Sequence, residues 1–169
     1  LFDPEKEPDV EEELVEVSTA KKNLLRELLE DMYPERAVIF ARFRRDMDVI
    51  HEVANATGRD SYEISGRKRD YREWKEGNRH DGAVVAVQMQ AGSLGIDLTE
   101  ARYGIVYTSG FSLGDYDQAL ARLHRPSQEH DCVTIYRLIV KGTIDRKVAR
   151  AIDWRRDLVD EVLSQWRDT

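Results

Sequence analysis

The chain has 169 residues, of which 41% are hydrophobic and 35% charged, with a formal net charge of −7. That length and composition predict one domain with a sizeable core, and the acidic balance excludes a protein that coats nucleic acid by charge alone. No run of 18 apolar residues, no signal peptide and a single cysteine, Cys132, argue against a membrane span and an internal disulfide and for a reduced, cytosolic setting.

Residues 1–17 carry Asp3, Glu5, Glu7, Asp9, Glu11, Glu12, Glu13 and Glu16 against Lys6 alone, with Pro4 and Pro8, and read as an acidic tail or linker. Ser18 is a candidate N-cap for a helix to Met32 with Leu24, Leu25, Leu28 and Leu29 on one side, ended by Pro34. Residues 37–41 are wholly apolar, as a strand covered on both faces should be. A helix follows over residues 46–56, with Met47, Ile50, Val53 and Ala54 in period and Gly58 closing it. Residues 62–65 form a weaker strand and 68–75 a short helix. Residues 83–87 and 105–107 are two further buried strands, and 113–124 is helical. Residues 132–140 read as a long strand with Cys132 as an inert core thiol, and two helices, 144–152 and 157–166, complete the chain. Trp74, Trp154 and Trp166 sit at spacings expected of core or docking anchors.

Strands thus alternate with helices, which predicts an α/β fold with a mostly parallel sheet covered by helices on both faces. In such sheets ligands bind beyond the carboxyl ends of the strands, where residues 42–45, 88–98 and 108–114 fall. In the helix at 113–124 and its continuation, Gln118, Arg122 and Arg125 lie at i, i+4 and i+7 on one stripe, opposite Tyr116, Leu120 and Leu123. Fixed guanidiniums suit phosphate oxygens because they stay charged and present planar forked donors. A solvated or salt-bridged stripe is the plain alternative. Gly92 and Gly95 permit close approach of backbone to a ligand or a positive φ, Asp97 can accept from a sugar hydroxyl, and Gln88, Gln90 and Ser93 are neutral donors suited to a phosphate backbone. The plain alternative here is a tight turn with a capping Asp. With one Cys and four His scattered along the chain, no metal-ligand spacing is present.

Taken in order, these segments resemble the second RecA-like lobe of a superfamily-two helicase, closest to the Swi/Snf-like translocases and their phage and bacterial relatives. Residues 38–42 (Val-Ile-Phe-Ala-Arg) resemble helicase motif IV, and residues 91–98 (Ala-Gly-Ser-Leu-Gly-Ile-Asp-Leu) resemble motif V. Gln118, Arg122 and Arg125 with the closing Gln128 resemble motif VI, and residues 142–145 (Gly-Thr-Ile-Asp) resemble the Gly-Thr-Ile-Glu segment that follows it. The likeness runs from about residue 20 to 165. It departs at Met89 and Gln90, where relatives carry Thr-Arg, at Ser93, where they carry a second Gly, and at Pro126 and Ser127, where they carry Ile-Gly.

The resemblance implies a RecA-like (P-loop NTPase-like) domain over residues 18–169, with Arg122 and Arg125 as arginine fingers toward ATP and Gln118 helping to position the cleft or the attacking water. Gly95 and Asp97 would approach the ribose, and Arg42, Ser65, Gln88, Gln90 and Ser93 would touch nucleic acid. No Gly-x-x-x-x-Gly-Lys-[Ser/Thr] loop and no Asp-Glu pair after a buried strand exist in the chain. ATP and Mg²⁺ are therefore expected to be held mainly by an N-terminal RecA-like lobe of the same protein, and this chain by itself is expected to be inactive. The start at Leu1 rather than Met fits a piece of something longer. The expected track is nucleic acid, double-stranded DNA first, without a membrane, in the cytoplasm of a bacterial or phage-infected cell. The alternative is a stand-alone RecA-like module that grips nucleic acid or a partner without turnover.

Overall fold

The computed structural model describes residues 19–77, 81–90, 95–126, 128 and 130–167, with the backbone alone at 165–167. The acidic segment, Ser18, Ser93 and the Trp166 side chain lie outside them. Ten elements alternate along the chain: α1 (Ala20–Met32), β1 (Ala37–Ala41), α2 (Arg44–Ala56), β2 (Ser61–Ile64), α3 (Tyr71–Glu76), β3 (Val84–Gln88), β4 (Tyr103–Val106), α4 (Leu113–Leu123), β5 (Thr134–Arg137) and α5 (Ile144–Arg167). The strands form one sheet in the order β2-β3-β1-β4-β5, and every pairing is parallel.

Strand alternation assigns the two faces. Val38 and Phe40 of β1, Val85 and Val87 of β3 and Val106 of β4 enter one core with Trp74, Tyr116, Ala119, Leu123, Val148 and Ile152, from α3, α4 and α5. Ala37, Ile39 and Ala41 of β1, with Val84, Ala86 and Ile105, enter the other with Leu25, Leu29, Met47, Ile50 and Val53, from α1 and α2. The expected sheet with helices on both faces is the one observed. At Gly104 a Cβ would lie 2.6 Å from Leu123 Cδ2, so the absent side chain is what lets α4 press onto β4.

Three elements differ from expectation. The strand expected over 132–140 is only four residues long and half-exposed, with Ile135 and Tyr136 at 37% and 36% exposure. It forms the sheet edge and has a partner on one side only, so its apolar run reports a single packed face. Cys132, before it, is exposed and is not a core thiol. The two helices expected at the end are one continuous helix, α5. No Gly or Pro separates them; the gap in the apolar pattern marks where the helix leaves the core, and Trp154 beyond it is 64% exposed rather than an anchor within the domain. The helix expected from Lys68 begins at Tyr71, because Ser65 Oγ accepts from the Arg67 and Lys68 amides at 3.1 and 3.3 Å and holds that stretch as a turn.

Candidate functional site

The residues singled out in the sequence fall at two opposite edges of the sheet. At the carboxyl edge, Arg42 follows β1 directly, and its amide donates to Thr108 Oγ1, beyond β4, at 2.9 Å. Thr108 Oγ1 donates in turn to Asp46 Oδ2 at 2.5 Å, and Asp46 accepts from the Phe43 amide at 3.3 Å. Burial pushes the Asp46 carboxyl above its ordinary range, against the hydrogen bonds from Thr108 and Phe43 and the charge of Lys21. The Arg42 guanidinium lies across Gly110, where a Cβ would collide with it, and stands 5.5 Å from the Phe43 ring centre. Gln88, ending β3, accepts from the Gly66 amide at 3.2 Å and donates to the Arg42 carbonyl at 3.5 Å. Gln90 is exposed beside it. The loops after β2, β3, β1 and β4 are thereby stitched into one row.

Ser65 belongs to that row in sequence but not in chemistry. It is buried, and its hydroxyl donates to Glu63 Oε1 at 2.5 Å. In the structure it shapes the turn, with its hydroxyl hydrogen on Glu63 and its oxygen taking the Arg67 and Lys68 amides. Glu63, buried on β2, also takes the Arg67 Nε at 2.8 Å and lies 3.0 Å from His51 Nε2, while Arg67 reaches Asp48 at 2.6 Å. Burial pushes the Glu63 carboxyl up, but hydrogen bonds from Arg67, Ser65 and His51 outweigh it and hold it at about 2. A carboxyl held below its unfolded value, near 4.5, stabilises the fold fully above that value and loses the contribution as pH falls toward 2. Thermal melts across that window should therefore show a shallower acid-side fall in Tm for Glu63→Gln than for the parent. Superimposable slopes would assign the effect to other carboxylates.

At the amino edge lie the arginines. Helix α4 starts at the carboxyl edge, capped by Ser112 Oγ accepting from the Asp115 amide at 3.2 Å, and runs back against the strands. Its far end meets the approach to β4: the Leu98 amide donates to the Arg122 carbonyl at 3.0 Å. Residues 88–98 thus do not form one carboxyl-edge loop as expected; they start at that edge with Gln88 and arrive at the other with Asp97 and Leu98. Tyr116 and Leu123 are buried, Leu120 is half-buried and Gln118 is exposed.

The expected stripe does not extend to Arg125. Helix α4 ends at Leu123, and His124 is extended, with φ −105° and ψ 94°. Pro126 excludes helical backbone from the residue before it. Gln128 secures the exit, its Nε2 donating to the Leu123 carbonyl at 2.9 Å and the Ala101 carbonyl at 3.4 Å, and its amide to the Arg125 carbonyl at 2.9 Å. The consequence is a second guanidinium set by a turn, near enough to Asp97 to affect its ionisation. Burial raises the Asp97 carboxyl, but the Thr99 hydroxyl and amide, then Lys75 and Arg125, more than offset it, so Asp97 stays ionised below the ordinary range. Asp97 Oδ1 accepts from Thr99 Oγ1 at 2.8 Å and Thr99 N at 3.1 Å, and Oδ2 stands 3.5 Å from Lys75 Nζ. Gly95, with φ +66°, is exposed, and a Cβ there would meet nothing within 4 Å, so it is glycine for its backbone conformation.

Sequence reasoning missed the anchors of this frame. Lys21 of α1 pairs with Asp145 of α5 at 2.6 Å, and Asp145 accepts from the Val140 amide at 3.3 Å. The Gly-Thr-Ile-Asp segment is therefore a structural junction, with Gly142 at φ +82° and Thr143 Oγ1 accepting from the Asp145 amide at 3.3 Å. Its likeness to the family segment was the available signal; Lys21 gave none.

A RecA-like parallel sheet with two arginines and an acid at one edge and a row of polar loops at the other defines the second lobe of a helicase. The chain belongs to the helicase conserved C-terminal domain family, whose pattern it matches over residues 20–127. It is a Swi/Snf-like member. It is 29% identical over 140 residues to protein chromatin remodeling 24 of Arabidopsis thaliana, covering 78% of this chain and 13% of that protein. It is 31% identical over 137 residues to the human chromatin-remodeling ATPase INO80 (76% and 8%), and 28% over 144 residues to the DNA repair protein RAD5 of Eremothecium gossypii (79% and 13%). The crystal structure of the C-terminal part of the Fun30 ATPase domain superposes with a TM-score of 0.69 at 25% identity, covering 78% of this chain and 44% of that one. The chain spans about an eighth or less of the length of these full-length relatives. They are eukaryotic chromatin-remodelling and DNA-repair proteins, which overturns the expectation of the cytoplasm of a bacterial or phage-infected cell. No helix among the described residues is long and apolar enough to cross a membrane.

Proposed function

We propose that this chain is the C-terminal motor lobe of a nucleic-acid-dependent ATPase that translocates on DNA, with residues 18–169 as its domain. The observation that carries the reading is the separation of the two edges. Arg125 stands near Asp97 and the Arg122 carbonyl takes the Leu98 amide at the amino edge, while Arg42, Gln88 and Gln90 line the carboxyl edge. One side of the lobe then faces a nucleotide and the other a track, and closure on ATP moves both together.

Arg122 and Arg125 neutralise charge that develops on the transferred phosphoryl group, and Gln118, on the exposed side of α4, helps order the cleft or the attacking water. Gly95 and Asp97 approach the ribose, Asp97 through the oxygen that Lys75 now faces. Arg42, Gln88, Gln90 and Ser93 contact the phosphate backbone without reading bases, as movement over any sequence requires. No phosphate-binding Gly-x-x-x-x-Gly-Lys-[Ser/Thr] loop occurs in the sequence, and the motor reading assigns Mg²⁺ and most of the nucleotide to an N-terminal RecA-like lobe.

The test is ATP hydrolysis by the full-length protein with no nucleic acid, and with single- and double-stranded DNA and RNA. Stimulation by duplex DNA is expected. Equal rates with and without every nucleic acid would refute the motor reading and leave a binding module.

A further inference from the structure

Beyond the end of β5, an open groove of about 510 Å³ is lined by Ile139, Lys141, Arg146, Ala149, Arg150 and Asp153. Asp153 is already neutralised by Arg137 at 2.9 Å. Lys141, Arg146 and Arg150 are exposed, and none has an ion pair or side-chain hydrogen bond among the described residues. This sets them apart from the cations that hold the fold, since Lys21, Arg36 and Arg67 are each paired with carboxylates at 2.6–2.8 Å. Three like charges thus share one open surface, an arrangement that attracts an anion.

The groove opens at the carboxyl edge, next to Asp145 and the loop after β4, and so at the opposite edge from Arg122 and Arg125. That location excludes it from the nucleotide cleft and places it in line with the row already described. The row ends at its other side, beyond β2, in exposed Lys68 and Arg69. Five strands at about 4.8 Å spacing set the two cationic ends roughly 19 Å apart, the rise of between five and six base pairs of duplex at about 3.4 Å each.

We propose that Lys141, Arg146 and Arg150 form a binding site for the phosphodiester backbone, which extends the nucleic-acid track past the motif residues to the β5 edge of the lobe. This rests on the motor reading above. The competing occupant is the chain's own acidic segment: its eight acids and one base account for the whole net charge of −7, and it joins α1 close to Lys21, which pairs with Asp145 beside the groove. The backbone is favoured because the groove cations continue the row of Arg42, Gln88 and Gln90, past an Asp145 already paired with Lys21 and an Asp46 bonded to Thr108.

The test is binding of a fluorescent DNA duplex of about 20 base pairs to the full-length protein across a salt series. Each phosphate contact contributes about −0.9 to the slope of log K against log salt, so Lys141→Gln/Arg146→Gln/Arg150→Gln should make it shallower by about 2–3 units. A control with equal charge loss elsewhere, Lys22→Gln/Arg26→Gln/Arg72→Gln, should leave it within about one unit. All three groove side chains are exposed, so unchanged melting verifies the fold. An unchanged slope in the groove variant, with normal DNA binding by the parent, overturns this proposal alone. Failure of the parent to bind any nucleic acid overturns the motor reading with it. If neutralising the eight acids of residues 1–17 lowers the melting temperature of the parent but not of the groove variant, while the groove substitutions leave the salt slope unchanged with or without those acids, the groove belongs to the acidic segment and the proposal is overturned.

Discussion

Replacing Arg122 or Arg125 by Ala in the full-length protein is expected to lower nucleic-acid-stimulated ATP hydrolysis by about 10³–10⁵-fold, the range seen where a charge-neutralising arginine has been removed from phosphoryl transfer. The two losses should differ in character. Arg122 lies on α4, whose backbone is bonded to Leu98, and removing its side chain leaves that frame intact. Arg125 stands in the exit turn that Gln128 holds near Asp97, so Arg125→Ala should also weaken nucleotide binding if Asp97 receives the ribose. Duplex binding, governed by the opposite edge, should remain near normal in both. The measurement is kcat and KM for ATP at saturating DNA, with melting as the control for folding. Turnover within tenfold of the parent in both variants would remove the arginines from the chemistry.

The second large effect is on stability. Arg36, immediately before β1, is fully buried; its Nε and Nη2 meet both oxygens of Asp81 at 3.0 and 2.8 Å, and Nη1 donates to the Trp74 carbonyl at 2.8 Å. Nη1 also stands 3.5 Å from Glu100, close enough for an ion pair without aligning for a hydrogen bond, and the guanidinium lies 4.5 Å from the Trp74 ring centre. Arg36→Ala removes the cation and leaves the Glu100 and Asp81 carboxylates poorly solvated. Breaking a buried pair from one side costs about 3–5 kcal/mol. For a domain of this size each kcal/mol lowers Tm by about 2–4 °C, so a fall on the order of 6–20 °C is expected. A drop below about 3 °C would mean that water replaces the guanidinium at little cost. Arg36→Lys should recover only part of the loss, because an ammonium cannot reproduce the fork on Asp81.

The central strands were legible because a buried parallel strand must be apolar on both faces. Residues 37–41 showed no alternation, and they are fully buried in β1. Helix α2 was legible through Met47, Ile50, Val53 and Ala54, all buried against one face of the sheet. The same rule misled at the periphery. At the edge strand β5 and in the outer half of α5, apolar residues do not imply burial, since what covers them is a matter of neighbours and not of pattern. Glu63 and Arg36 were invisible for the converse reason. Their burial depends on partners that periodicity does not mark: His51, on another element, with nearby Arg67 for one, and Trp74, Asp81 and Glu100, far along the chain, for the other.

By itself the sequence determined the α/β class, the faces of the principal helices and the residues worth suspecting, since local periodicity and ordered motifs are properties of neighbouring residues. Only the tertiary structure decided where those residues meet. It ended α4 before Arg125, carried residues 88–98 from one edge of the sheet to the other, withdrew Ser65 into a hydrogen bond, and left Lys141, Arg146 and Arg150 together without counter-charges. The end of α4 and the Ser65 bond are set by near neighbours, Pro126 and Glu63, whose effect a hydrophobic period does not register, while the path of residues 88–98 and the meeting of Lys141, Arg146 and Arg150 depend on contacts between separate elements.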